Sequence, residues 1–359
     1  GWMRRYEWVP RWHLDLEIPR LIPKWTPPGP GPVIAGAAAD RMKFNSWMVF
    51  SILWATLVYF PIAHWVFDLD AGWIANGIGA VDFAGGTAVH INAGTAALVL
   101  CIVLGRRRGW PREAMRPHNL TMVMLGAGLL WFGWFGFNAG SAAVANYSAA
   151  YAFLNTVVAT CTAICGWLII EQIRDGKATS LGAASGIVAG LVAITPACAA
   201  VTPLGAMAIG FIAGIACAYG VGLKYRLGFD DSFDVVGVHL VGGLVGTLLI
   251  GFFAWDGSPS EVSGVFYGGG WGQLGIQAIA AVAVIAYSGI VTAVIAFVVK
   301  AIMGLRVEDD SEAAGIDEGE HAESGYDFSS LRSGGGGLGS SHSTLSAPTQ
   351  VTATAGKEG

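Results

Sequence analysis

Eight stretches of this chain, each about 20 residues long, are apolar almost throughout, and no other feature limits its fold as severely. They run near Trp47 to Val66, Phe83 to Leu104, Leu120 to Phe137, Ala149 to Ile170, Leu181 to Ala197, Leu204 to Leu223, Val235 to Ala254 and Leu274 to Ile302. A helix needs roughly 20 mainly apolar residues to cross the hydrocarbon of a bilayer. Lipid offers the backbone no hydrogen-bond partner, so spanning segments close their own bonds as helices or barrels, and runs this long read as helices. Composition agrees: 54% of the residues are hydrophobic and 13% charged, where soluble domains carry about 25% charged residues. The expectation is an all-α, polytopic membrane protein.

The connections alternate in charge. DRMK (Asp40 to Lys43), GRRRGWPREAMR (Gly105 to Arg116), EQIRDGK (Glu171 to Lys177), LKYR (Leu223 to Arg226) and the LRV after Gly304 are basic, whereas the loops between them contain no Lys or Arg. The positive-inside rule places the basic set in the cytoplasm, together with the acidic tail after Val307. A formal net charge of -5 leaves no basic face for nucleic acid. The five cysteines all fall inside apolar runs, where a thiol acts as a small packing group. No nucleotide loop, metal cluster or nucleophile–base pair supports an enzyme, and no cofactor is implied.

Composition divides the chain into a Pro-rich opening (1–32, ending WTPPGPGP), an apolar region (33–304), an acidic segment (305–326) and a Gly/Ser-rich tract (327–359) expected to be disordered. The chain does not begin with Met and its opening is unlike a signal peptide, so a fragment or a misplaced start is expected. Small-residue spacings such as GIVAG (Gly186 to Gly190), GFIAG (Gly210 to Gly214) and GGLVG (Gly242 to Gly246) read as close helix packing without a chemical role.

Two histidines break the apolar pattern. VHINAG (Val89 to Gly94) is echoed by VHLVGG (Val238 to Gly243), and each is preceded by an acid, Asp82 and Asp234. The two spans run in opposite directions, as an inverted repeat requires, and sites in such folds lie at the repeat interface. Ionisable groups within lipid are rare and mark function. Asp82 reads equally as a helix cap and as a functional acid, and Asp234 as a cap only. A neutral imidazole offers one donor and one acceptor, and a bare cation entering such a lumen faces a large desolvation cost. Ammonium escapes that cost by giving up its proton and crossing as the neutral base, a route closed to potassium.

These residues resemble the ammonium transporter family, the Amt/Mep/Rh group. The resemblance rests on DFAGGTAVHINAG around His90, GWFGFNAGS (Gly133 to Ser141), NTVVAT (Asn155 to Thr160), TPAC (Thr195 to Cys198), DVVGVHLVGG (Asp234 to Gly243), and GLRV (Gly304 to Val307) with GIDEGEHAESGY (Gly315 to Tyr326). It implies that His90 and His239 are twin pore histidines hydrogen-bonded to each other, and that Asp82 supports ammonium recruitment. Phe137 would be one ring of the outer gate, Trp134 a pore-lining tryptophan and Ser141 a vestibule hydroxyl; for the vestibule aromatic position PIAHWVFD offers Trp65 or Phe67, of which Phe67 is expected. It further implies an eleven-helix inverted-repeat fold of which this chain keeps about eight helices, and a homotrimer in the cytoplasmic membrane. The substrates would be ammonium or ammonia and methylammonium, and the partner at the cytoplasmic face a P-II signalling protein. An ammonium sensor and a non-functional truncated product are the rival readings. A helix half lacking its first members would open the lumen sideways.

Overall fold

The computed structural model describes residues 31–113 and 115–325. Expectations on the Pro-rich opening and the Gly/Ser tract fall on residues outside this set. Among the described residues the regular elements are helices, joined by two isolated antiparallel bridges. In chain order they are α1 (Gly31–Ala38), α2 (Phe44–Phe67), α3 (Gly86–Leu104), α4 (Leu120–Ala142), α5 (Tyr147–Asp175), α6 (Ser180–Ile194), α7 (Pro203–Leu227), α8 (Val236–Phe253), α9 (Gly272–Met303), and the short α10 (Asp309–Ala314) and α11 (Ile316–His321). Seven of these, α2 to α5 and α7 to α9, are long and apolar enough to cross a membrane. The fifth apolar run gives the shorter α6, whose helix stops at Ile194 because the chain turns at Thr195 and Pro196.

The basic connections meet at one end. Lys43 N–H donates to the Leu305 carbonyl at 2.9 Å, Arg106 Nε to the Gly228 carbonyl at 3.0 Å, and Arg174 Nη1 to the Ala218 carbonyl at 2.7 Å. At the other end Val201 bridges Ala254, and Trp255 N–H donates to the Ala200 carbonyl at 3.0 Å. Consecutive spans therefore alternate in direction, and α3 and α8 run oppositely.

Local chemistry shapes the helices. Pro61 has no N–H for the Leu57 carbonyl four residues back. There α2 widens into a π-helical turn, Ala55–Tyr59, and Tyr287 Oη on α9 donates to that carbonyl at 2.8 Å. The α9 helix lays a line of polar side chains against its neighbours. Gln277 Nε2 donates to the Val81 carbonyl (2.7 Å), Ser288 Oγ to the Asn92 carbonyl (3.0 Å), and Thr292 Oγ1 accepts from Trp54 Nε1 (2.9 Å). In lipid such bonds tie helices together where no hydrophobic force acts between them. The small-residue stripes of α6 and α7 rest on α5 at Ala159, Thr160 and Ala163. In α3, 78% of the span is buried, but in α4 only 11%, and the buried face of α4 is a short line of Ala127, Trp134 and Asn138.

Candidate functional site

The turn that carries His90 begins with a carboxylate. Asp82 Oδ1 accepts from the N–H groups of Gly85 (2.7 Å) and Gly86 (2.6 Å). Its Oδ2 accepts from the N–H groups of Thr87 (2.7 Å) and Ala88 (3.2 Å) and from Thr87 Oγ1. The unpaired N–H groups that open a helix are thereby satisfied by one side chain. The chain then runs into a π-helical turn, Gly86–Ile91, with His90 inside it. The second site is built the same way, since α8 opens with a π-helical turn, Val236–Leu240, that contains His239.

The acid before His239 is not the one expected. Asp234, read from sequence as the cap, has φ of 60° and pairs with Lys224 Nζ at 2.7 Å. The cap is Asp231, whose Oδ2 accepts from Val236 N–H at 2.7 Å. Spacing is the reason: Asp82 stands eight residues before His90, and Asp231 stands eight before His239. Burial pushes the Asp231 carboxyl up to about 6, against the opposing pull of the Val236 N–H bond.

The histidines meet because a glycine follows each by four residues. A Cβ on Gly94 would lie 2.5 Å from the Leu240 nitrogen, and one on Gly243 would lie 3.2 Å from His90 Cβ. Each helix thus presses its backbone onto the other's histidine turn. His90 Nδ1 and His239 Nδ1 end 3.2 Å apart, with ring centroids at 5.2 Å. His90 is 1% exposed and His239 half-buried. His90 Nε2 is buried without a hydrogen-bond partner. If both rings are neutral, a hydrogen bond between the two Nδ1 atoms uses one proton, which leaves one ring with a protonated Nε2 as donor and the other with a bare Nε2 as acceptor.

The remaining site residues from the sequence lie around His90 and the turn that carries it. Trp134 stacks on His90, with centroids 5.4 Å apart and planes 16° from parallel, and Phe137 stands edge-on to both rings. Ser141 Oγ donates to the Phe137 carbonyl at 2.8 Å, leaving its lone pairs to accept. The tip of Phe67 reaches Gly85, with 3.6 Å from its Cζ to the position of a Cβ there, while Trp65 packs on Tyr287 and Trp73.

Sequence reading missed a buried charge cluster that ties the far end of α3 to the start of α8. Arg107 binds Asp230 through its backbone N–H (2.7 Å), Nε (2.9 Å) and Nη2 (2.8 Å), and Arg41 Nη1 reaches Ser232 Oγ at 2.8 Å. Burial by itself pushes the Asp230 carboxyl up, but the Arg107 bonds outweigh it and hold it below the usual carboxylate range. The signal available was the DD pair at Asp230 and Asp231, just before the second histidine helix.

The sequence model of the Ammonium Transporter Family matches residues 32–326. The chain belongs to that family. A relative named Ammonium transporter from Mycobacterium bovis is 61% identical over 308 residues, covering 82% of this chain and 65% of the relative. Among solved structures, Mep2 of Saccharomyces cerevisiae superposes with a TM-score of 0.71 at 37% identity, covering 78% of this chain and 64% of Mep2. A protein described as Sensor Amt Protein gives a TM-score of 0.74 at 31% identity, covering 81% and 74%. The chain spans about two-thirds of the length of these first relatives. Family membership agrees with the multi-pass helical architecture.

Proposed function

We propose that this chain serves ammonium transport across the cytoplasmic membrane, with its basic end and the segment after Gly304 in the cytoplasm. The observation that carries the reading is the pair of Nδ1-linked imidazoles, one with a buried and unpartnered Nε2, held between oppositely running helices. Ammonium gives up its proton to water outside the apolar passage and enters as ammonia. The ammonia lone pair accepts from the protonated Nε2, and an ammonia N–H donates to the bare one. Potassium has no proton to shed and meets the full desolvation cost. The Asp82 carboxylate draws the cation toward the mouth by charge, and the faces of Phe67, Trp134 and Phe137 favour it by cation–π attraction. Ser141 accepts one of its N–H groups.

Assembly as a homotrimer and docking of a P-II protein at the basic end belong to the same proposal. The segment after Gly304 supports the second part, since it folds back on that end: Arg306 Nη2 meets Glu312 Oε2 at 2.6 Å, and Arg108 N–H donates to Glu312 Oε1 at 2.7 Å. Sensing would use the same site and segment.

The test is uptake of methylammonium by cells lacking their own ammonium transporters. It compares this chain, this chain joined to the part of the Mycobacterium bovis relative outside the matched region, and His90→Ala in both. The joined protein should accumulate methylammonium and exclude potassium, and His90→Ala should abolish the difference between the two cations. No uptake by the joined protein, or unchanged discrimination in His90→Ala, overturns the proposal.

A further inference from the structure

The α4 helix presents Trp134 to His90, yet it is the least buried of the long spans. Gly133 and Gly136, on either side of Trp134, have nothing within 4 Å of a Cβ position. Trp134 itself is buried in an apolar cluster with Leu191, Val192 and Val238, and apolar packing alone does not set the direction of its indole N–H. Trp134 Nε1 donates to Thr195 Oγ1 at 2.9 Å, and that hydroxyl lies 3.2 Å from Asn138 Oδ1 and 2.7 Å from the Leu191 carbonyl. Asn138 Nδ2 donates to Thr156 Oγ1 at 3.0 Å, and Thr156 Oγ1 donates to the Ala152 carbonyl at 2.7 Å. Thr195, Asn138 and Thr156 are all fully buried.

The Thr195 segment also touches the other ring's support. Phe83 N–H donates to the Pro196 carbonyl at 3.1 Å, and Gly86, which opens the His90 turn, has its Cα against the Pro196 ring. One two-residue turn at the end of α6 thus contacts both the indole and the turn that carries the imidazole. A buried hydroxyl that accepts from an indole N–H costs that donor its partner when it is removed.

We propose that Thr195 is a positioning residue: with Asn138 and Thr156 behind it, it locks the Trp134 indole face to face with His90, and this stacking sharpens the choice of neutral ammonia over a cation. The second half rests on the transport reading above; the first half does not. Thr195→Val keeps the shape and removes the hydroxyl, and Thr195→Ser keeps the hydroxyl.

The first readout is the ring-current shift of the His90 ring protons, measured by NMR on the full chain in nanodiscs, with Trp134→Leu marking complete loss of stacking. Thr195→Val should move the His90 signals most of the way to the Trp134→Leu position, while Thr195→Ser should leave them in place. The second readout, in the joined protein used for uptake, is the ratio of methylammonium to potassium entry. It should fall about tenfold in Thr195→Val and recover in Thr195→Ser. His90 signals unchanged in Thr195→Val overturn the positioning role whether or not the chain transports. Shifted signals with an unchanged ratio overturn the selectivity role and leave the transport reading standing.

Discussion

At the residue scale, Asp82 is asked to do two things. Its oxygens are taken up by four backbone N–H groups and one hydroxyl, and the transport proposal also gives its charge the recruitment of the cation. Substitution separates the two. Asp82→Asn keeps a carbonyl oxygen for the N–H groups and removes the charge, whereas Asp82→Ala removes both. Replacing a cap by alanine costs typically about 1 kcal/mol and up to about 2. Thermal unfolding in detergent should therefore rank Asp82→Ala below Asp82→Asn by roughly that amount. If the charge recruits the cation, Asp82→Asn should also weaken half-saturation for methylammonium in the joined protein, although its one remaining acceptor oxygen keeps it more stable than Asp82→Ala. An Asn variant with parental uptake would reduce Asp82 to a cap.

At the element scale, the close crossing of α3 and α8 is what turns two histidines in a sequence into one site. Gly94→Ala would force its Cβ against the backbone nitrogen of Leu240, which cannot swing aside as a side-chain tip can. Overpacking of this kind costs typically 1–3 kcal/mol, and the same displacement should part the two Nδ1 atoms. Gly126→Ala on α4 is the control, since nothing lies within 4 Å of its Cβ position. Melting temperatures should fall for Gly94→Ala and stay flat for Gly126→Ala, and only Gly94→Ala should alter the ring nitrogen shifts of His90 and His239. Much of this element was legible beforehand. Two imidazoles in apolar runs stand out in any composition count, and alternating basic loops give the directions of the spans. What sequence hid was geometry that departs from a 3.6-residue period: the π-helical turns at Gly86–Ile91 and Val236–Leu240. The misplaced cap followed from matching the nearest acid, Asp234, instead of counting eight residues back to Asp231. Thr195 was visible only as part of TPAC, because its partners Trp134, Asn138 and Thr156 come from other helices.

At the scale of the whole molecule, two adjacent carboxyls at the basic end should give stability opposite dependences on pH. Asp230 is held below its ordinary range by Arg107, so its contribution is present above the unfolded value of about 3.9 and is lost as pH falls through its folded value. Asp231 is pushed up to about 6 by burial, so the folded state binds its proton more tightly. The stability this provides is complete below about 3.9 and is lost as pH rises through about 6. Melting curves in detergent from pH 3 to 8 should show both slopes in the parent chain. Asp231→Asn, which keeps an acceptor for Val236 N–H, should remove the decline between about pH 4 and 6. Asp230→Asn should remove the acid-side loss, but at a lower overall stability, because it leaves Arg107 buried beside a neutral partner. Breaking a buried pair on one side costs roughly 3–5 kcal/mol, and the Asp230 side chain is fully buried with Arg107 at 2.8 Å. If Asp231→Asn keeps the parental decline, burial does not raise that carboxyl.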